Sequence, residues 1–220
     1  MIYFFADDHY GVHPGKNIFE HLPDELKQRI TFVENDWSLL ESGKWLDDCE
    51  LLILNMIGTT CDLPHPDSNA KKAVKAWCEK GGNALLLHGS SAAFWKWDWW
   101  REIVGLRWTR GNDPDGQAVS THPIAPCTIK VAKSRHPLVR QLREITLPED
   151  EIYTALEETC PIMTLMSTVV NGETWPQCCE VITPCNGKIV SLIPGHKPEC
   201  TRNPDLIYNL EVLIRYLLNK

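Results

Sequence analysis

Four short apolar runs, at residues 2–5, 30–33, 51–54 and 84–87, punctuate the first half of the chain. The third, Leu51-Leu52-Ile53-Leu54, shows no alternation, the pattern of a strand buried on both faces. Between the runs the apolar period lengthens to that of a helix. Ile18, Phe19, Leu22 and Leu26 share one side of residues 16–28, with Pro23 as a break. Residues 38–47 read as a short helix. Residues 68–80 predict the clearest one: Ser68 caps it, Ala70, Val74, Trp77 and Cys78 form its stripe, and Gly81-Gly82 stops it. A further helical stretch is expected at about 91–104. Strands alternating with helices over short connections imply right-handed crossovers and a parallel sheet covered on both faces.

The second half is less regular. Residues 105–127 are rich in Gly, Asp, Pro and Thr and read as loops. Strands are expected at 128–132, 162–167, 177–183 and 188–193, the last two joined through Asn186-Gly187, a strong hairpin signal. Pro137 opens a short helix after His136. A final helix over 204–218 carries Leu206, Ile207, Leu210, Leu213, Ile214 and Leu217 on one stripe. The whole, residues 1–220, reads as one α/β domain: a doubly wound, mainly parallel sheet with helices on both faces and an antiparallel extension.

Composition narrows the partners. The 22 basic and 29 acidic side chains give a net charge of -7 without a basic block, so no nucleic acid is expected. The apolar runs are too short for a membrane span, and no charged leader precedes the first strand, which points to a cytoplasmic protein. Nine cysteines, an odd number without a Cys-x-x-Cys pair, read as free thiols in a reducing compartment. No Gly-x-Gly-x-x-Gly loop offers a dinucleotide site.

In an open parallel sheet, ligands bind beyond the carboxyl ends of the strands. Asp7, Asp8 and His9 follow the first strand, with His13 close by. Asn55 follows the third, His88 the fourth, and Gly195-His196 and then Glu199 the last. Half of the eight histidines therefore fall at one edge. Each has a plainer alternative: Asp7 and Asp8 can cap turns, and a lone histidine can be a satisfied core residue. His9 and His13 have the metal-ligand spacing of a helix, but Gly11 and Pro14 argue for a loop. Trp95, Trp97, Trp99 and Trp100 crowd the stretch after His88. Their rings suit sugar stacking, core packing or a subunit interface. Glu149-Asp150-Glu151 is by default a solvated acidic turn, and alternatively closes over the site.

The segment Gly81-Gly82-Asn83-Ala84-Leu85-Leu86-Leu87-His88-Gly89, with Ala93-Phe94 and Trp97, resembles the Gly-Gly-apolar-His segment of ThuA-like (trehalose utilisation) proteins. His136-Pro137-Leu138, Leu147 through Tyr153, and Asn186-Gly187-Lys188 through Gly195-His196 are similar to that family's later motifs in order and spacing. The resemblance implies a flavodoxin-like fold of the class I glutamine amidotransferase type. In the amidotransferases the turn after this strand carries a nucleophilic cysteine, and a His and a Glu complete a triad. Here His88 stands at that turn, while His196 and Glu199 look like the other two. Imidazole cannot replace the thiolate as acyl carrier, so a Cys-triad amidotransferase is not expected. The resemblance implies carbohydrate metabolism, with trehalose, a related disaccharide or its keto derivative as substrate. On that reading His88, His196 and Glu151 are catalytic, and Asp8, His9, Asn55, Trp97 and Tyr153 bind the sugar. The cofactor is left open. A divalent metal such as zinc, on His9, His88 and His196, would instead make a metal-dependent hydrolase. A third reading is a non-catalytic ligand-binding or assembly module, and a homo-oligomer is expected.

Overall fold

The computed structural model describes residues 1–111 and 118–219. The part of the expected loop at 112–117 lies outside the described residues. Strand β1 (Ile2–Ala6) leads to α1 (Pro14–His21) and α2 (Asp24–Lys27), split at Pro23 as expected. β2 (Ile30–Glu34), α3 (Ser38–Ser42), β3 (Leu51–Asn55), α4 (Ser68–Glu79) and β4 (Ala84–Leu87) follow. Gly43, at φ 67°, divides the expected 38–47 helix into α3 and a 3-10 turn, Lys44–Asp47. The cap of α4 is Asp67 rather than Ser68: its carboxylate accepts from the amides of Asn69 and Ala70.

The expected helix at 91–104 does not form. A 3-10 turn spans His88–Ala92, Phe94 takes a left-handed φ of 54°, and only α5 (Asp98–Arg101) is helical beyond it. Phe94 breaks the helix because its ring stacks on Trp97 at 3.9 Å, with Trp99 and Trp100 against the same group. Trp97, Trp99 and Trp100 thus fill the space beside the sheet instead of lining one helix face, while Trp95 stays exposed.

The chain continues through β5 (Leu106–Arg107), β6 (Ile124–Val131), β7 (Ile145–Glu151), β8 (Glu157–Glu158), β9 (Met163–Val170), β10 (Glu173–Ile182) and β11 (Lys188–Leu192). It closes with α6 (Pro198–Thr201) and α7 (Pro204–Leu218). The nine-stranded sheet runs β2-β1-β3-β4-β11-β10-β9-β6-β7. The first five strands are parallel and in the flavodoxin-like order; the last four form the antiparallel extension. Period-two alternation assigns the faces. Leu51, Ile53, Leu85 and Leu87 pack with α1 and α7, while Leu52, Leu54, Ala84 and Leu86 pack with α4 and the tryptophans.

Two features of the extension were not expected. β7 occupies the stretch that reads as an acidic turn. β9 and β10 meet at Asn171-Gly172, both at positive φ (52° and 83°), the geometry of a two-residue hairpin. β7 also closes back on the parallel half. Asp150 accepts from the amides of Gly195 and His196 at 2.7 and 3.1 Å, and Lys197 pairs with Glu149. This closure carries Glu151 to the edge where β1, β4 and β11 end.

Candidate functional site

Three histidines meet above the ends of β1, β4 and β11. His88 begins the 3-10 turn directly after β4, at φ 45° and 2% exposed. His9, three residues beyond β1, has φ 46° and is also buried. A left-handed backbone at a non-glycine residue costs on the order of 1–3 kcal/mol and persists where the surroundings impose it. His196 follows β11 on the turn held by Asp150. The ring centroids lie 4.9 Å (His9–His88), 5.1 Å (His9–His196) and 5.0 Å (His88–His196) apart.

Glu151 completes the group. Its Oε1 is 3.0 Å from Nδ1 of His196 and its Oε2 3.5 Å from Nε2 of His88. One ligand atom from each of His9, His88, Glu151 and His196 falls within 4.8 Å of all the others. The tautomer of His88 follows from its partner. Nδ1 lies 3.0 Å from the carbonyl of Ile193, which can only accept, so Nδ1 carries the hydrogen and Nε2 turns a lone pair inward. That lone pair faces the Tyr153 hydroxyl at 3.4 Å and the Glu151 carboxylate. Two acceptors facing each other call for a positive charge between them, either a proton or a metal ion. Both ring nitrogens of His196 are buried and lack a well-angled hydrogen bond, despite the short approach of Glu151 to Nδ1.

The charges agree with this geometry. Burial first, then the His88 and His196 rings, push His9 down to about 3, so it is neutral with a free lone pair. Burial pushes the Glu151 carboxyl up, but the close approach of His196 and His88 outweighs it and holds the group well below the usual carboxylate range. Burial, followed by the Glu151 and Asp150 charges, raises Tyr153 well above the ordinary phenol value.

Support comes from behind. One oxygen of Asp7 accepts from the amides of Ile57 and Gly58, both at 2.8 Å; the other lies 3.9 Å from Nδ1 of His9. Asp7 is thus the turn cap the sequence allowed, and it also stands behind a potential ligand. Gly89 leaves room for the same ring: a Cβ there would lie 2.8 Å from Cε1 and 3.2 Å from Nδ1 of His9. Gly89→Ala is expected to displace His9 and weaken metal binding by about 10–100-fold, as loss of an outer-shell support does. Calorimetric titration of zinc into the variant checks this.

The cluster opens into a cleft of about 280 Å³, lined among others by His9, Trp108, Arg110, His122, Glu151, Tyr153 and His196. Five of the expected site residues, His9, His88, Glu151, Tyr153 and His196, therefore converge. Asp8 does not join them: its carboxylate accepts from the Gly11 amide and the Asn35 side chain. Asn55, paired in register with Ala6, is buried against Gly15. Trp97 is 4% exposed in the core, and the tryptophan at the cleft is Trp108, whose ring meets Tyr153 at 4.9 Å. The interface reading of the tryptophan stretch fails for Trp97 and Trp100, both buried. His13 pairs with Glu34 instead of His9. Glu199 is exposed on α6, and the carboxylate beside His196 is Glu151.

His122 is the residue the sequence reading missed. It reads only as an extended step before Pro123, yet its Nδ1 lies 3.6 Å from Oε1 of Glu151 at the cleft rim. All nine cysteines are free, and the turn after β4 carries none of them. Among the described residues no helix is long and apolar enough to cross a membrane.

A family model described as trehalose utilisation (ThuA) matches residues 3–216. Among solved structures, a protein described as ThuA-like from Parabacteroides merdae aligns with TM-score 0.76 and 16% identity, over 100% of this chain and 90% of that one. A second, from Bacteroides uniformis, aligns with TM-score 0.67 and 14% identity, over 99% and 91%. The glutaminase domain of the Trypanosoma brucei CTPS aligns with TM-score 0.54 and 11% identity, over 98% and 94%. These likenesses show the shared fold, glutamine amidotransferase-like domains included. No curated protein matches the chain at a significant level.

Proposed function

The chain belongs to the trehalose-utilisation (ThuA) family, and from that premise we propose that it acts on trehalose, a related disaccharide or its keto derivative through a divalent cation held by His9, His88, His196 and Glu151. The convergence of four ligand atoms within 4.8 Å carries the reading. Imidazole nitrogens and a carboxylate suit zinc, a borderline ion that accepts both donor types. The inward lone pair of His88 and the two unsatisfied nitrogens of His196 are the state a ligand must hold before an ion arrives. Held by His9, His88, His196 and Glu151, a divalent ion would supply Lewis-acid chemistry, polarising a sugar oxygen or lowering the pKa of a water.

The remaining residues supply what an ion does not. Trp108 offers a ring face to the apolar side of a sugar. Arg110 and Tyr10 border the cleft with polar groups for hydroxyls. His122, beside Glu151 at the rim, is placed to accept a proton from the substrate and return it. Protein purified without an affinity tag is expected to hold one zinc per chain by elemental analysis. Chelation is expected to abolish turnover of the sugar, and zinc to restore it. A metal-free preparation that retains full turnover overturns the proposal.

A further inference from the structure

The cleft has a neighbour. On the far side of His122 lies an open hollow of about 480 Å³, bordered by Thr121, Thr154, the Asn171-Gly172 hairpin tip, Glu173 and Trp175. His122 lines both spaces, so one imidazole forms their common wall. A third, smaller hollow of about 190 Å³ shares Tyr153 with the cleft and Trp175 with the open hollow.

Trp175 is the informative residue here. It is half-buried on β10, yet among the described residues its ring pairs with no other aromatic and its Nε1 makes no hydrogen bond. Trp108 at the cleft, by contrast, packs its ring on Tyr153, and Trp97, Trp99 and Trp100 pack on one another in the core cluster. Its backbone is held on the β9–β10 hairpin, with Trp175 opposite Thr168. The floor is fixed as well: Thr121 and Thr154 exchange backbone hydrogen bonds at 3.2 and 2.8 Å, and their hydroxyls lie 2.7 Å apart. A half-buried aromatic face without a ring partner, beside exposed Asn171 and Glu173, is the composition of a sugar-binding surface: a flat apolar platform with amide and carboxylate acceptors for hydroxyls.

We propose that this hollow is a second sugar subsite, in which Trp175 stacks against the ring of a disaccharide that does not enter the His9–His88–His196–Glu151 cleft. The inference rests on the carbohydrate reading of the cleft. The 280 Å³ cleft takes one ring, and the glycosidic link then passes His122, which meets both halves of the substrate. The subsite thereby selects disaccharides over single sugars.

Isothermal titration of the full chain with trehalose and with glucose tests this. Trp175→Ala is expected to weaken trehalose binding at least tenfold and leave glucose binding unchanged. Trp175→Phe, which keeps a stacking face, is expected to stay within about threefold of wild type. Equal weakening of both sugars, or of neither, overturns the subsite while the carbohydrate cleft stands. A wild-type protein that binds neither sugar overturns the carbohydrate reading and the subsite with it.

Discussion

His88→Ala is expected to abolish metal binding and turnover while the protein remains folded. His88 is the one ligand whose orientation is dictated from both sides. Its Nδ1 is spent on the Ile193 carbonyl, and its Nε2 is aimed at Glu151. Removal deletes a ligand outright, so the loss of affinity should exceed the ~10–100-fold that follows loss of an outer-shell partner. The variant also leaves the Ile193 carbonyl unpaired, at a cost of about 1–3 kcal/mol. Against this, the crowding of three buried imidazoles is relieved. A scan of melting temperature against zinc separates the two effects. Wild type should gain stability as RT ln(1 + [zinc]/Kd), about 4 kcal/mol at a thousandfold excess over Kd. His88→Ala should start slightly lower and not respond. If the wild-type melting temperature is indifferent to zinc, the facing lone pairs are bridged by a proton instead, and the metal reading falls.

The parallel half of the fold was legible in the sequence because its signals are local. The 51–54 run, the 204–218 stripe and the break at Pro23 each follow from residues within one element. So were His9, His88 and His196, since the ends of parallel strands share one edge whatever the helices do. The tryptophan stretch misled because ring packing overrode helix periodicity: Phe94 accepts a left-handed backbone to stack on Trp97. β7 was hidden because Glu149-Asp150-Glu151 has the composition of a solvated turn, and only long-range closure against the β11 turn buries Asp150. Although Glu151 was expected to be catalytic, Glu199 was matched to the amidotransferase glutamate for a local reason. It is near His196 in sequence, whereas Glu151 is near only in space. The Asn171-Gly172 signal was present and is as strong as Asn186-Gly187; it marks the hairpin that borders the second hollow.

In the turn directly after β4, His88 takes a left-handed φ of 45° and turns Nε2 toward Glu151. A thiolate presented there acts as a nucleophile, whereas an imidazole whose second nitrogen is tied to a carbonyl acts as a ligand or a proton carrier. The added requirement is a carboxylate opposite His88, and the antiparallel extension supplies it by carrying Glu151 back across the edge.

That dependence makes Asp150 the second residue of large effect. Its carboxylate is 1% exposed and accepts from two backbone amides, Gly195 at 2.7 Å and His196 at 3.1 Å. Gly195 sits at φ 112°, a conformation L side chains rarely adopt, so the turn has few alternative ways to satisfy its amides. A carboxylate only accepts, and both its oxygens are used here. Asp150→Asn keeps the shape but places an NH2 group against one of the two N–H donors. The conservative variant is therefore expected to behave nearly as badly as Asp150→Ala. Each buried amide left without an acceptor costs about 1–3 kcal/mol, so Asp150→Ala, which leaves two, is expected to lose roughly 2–6 kcal/mol, and Asp150→Asn, which leaves one and buries an unpaired NH2 group against it, a comparable amount. Urea unfolding should show this as a lower midpoint with an unchanged slope. The functional loss should accompany it: with the turn released, His196 no longer faces Glu151, and zinc affinity should fall by about 10–100-fold even where the protein is fully folded. Wild-type stability and zinc affinity in Asp150→Asn would mean that the closure of β7 onto the β11 turn does not position the site.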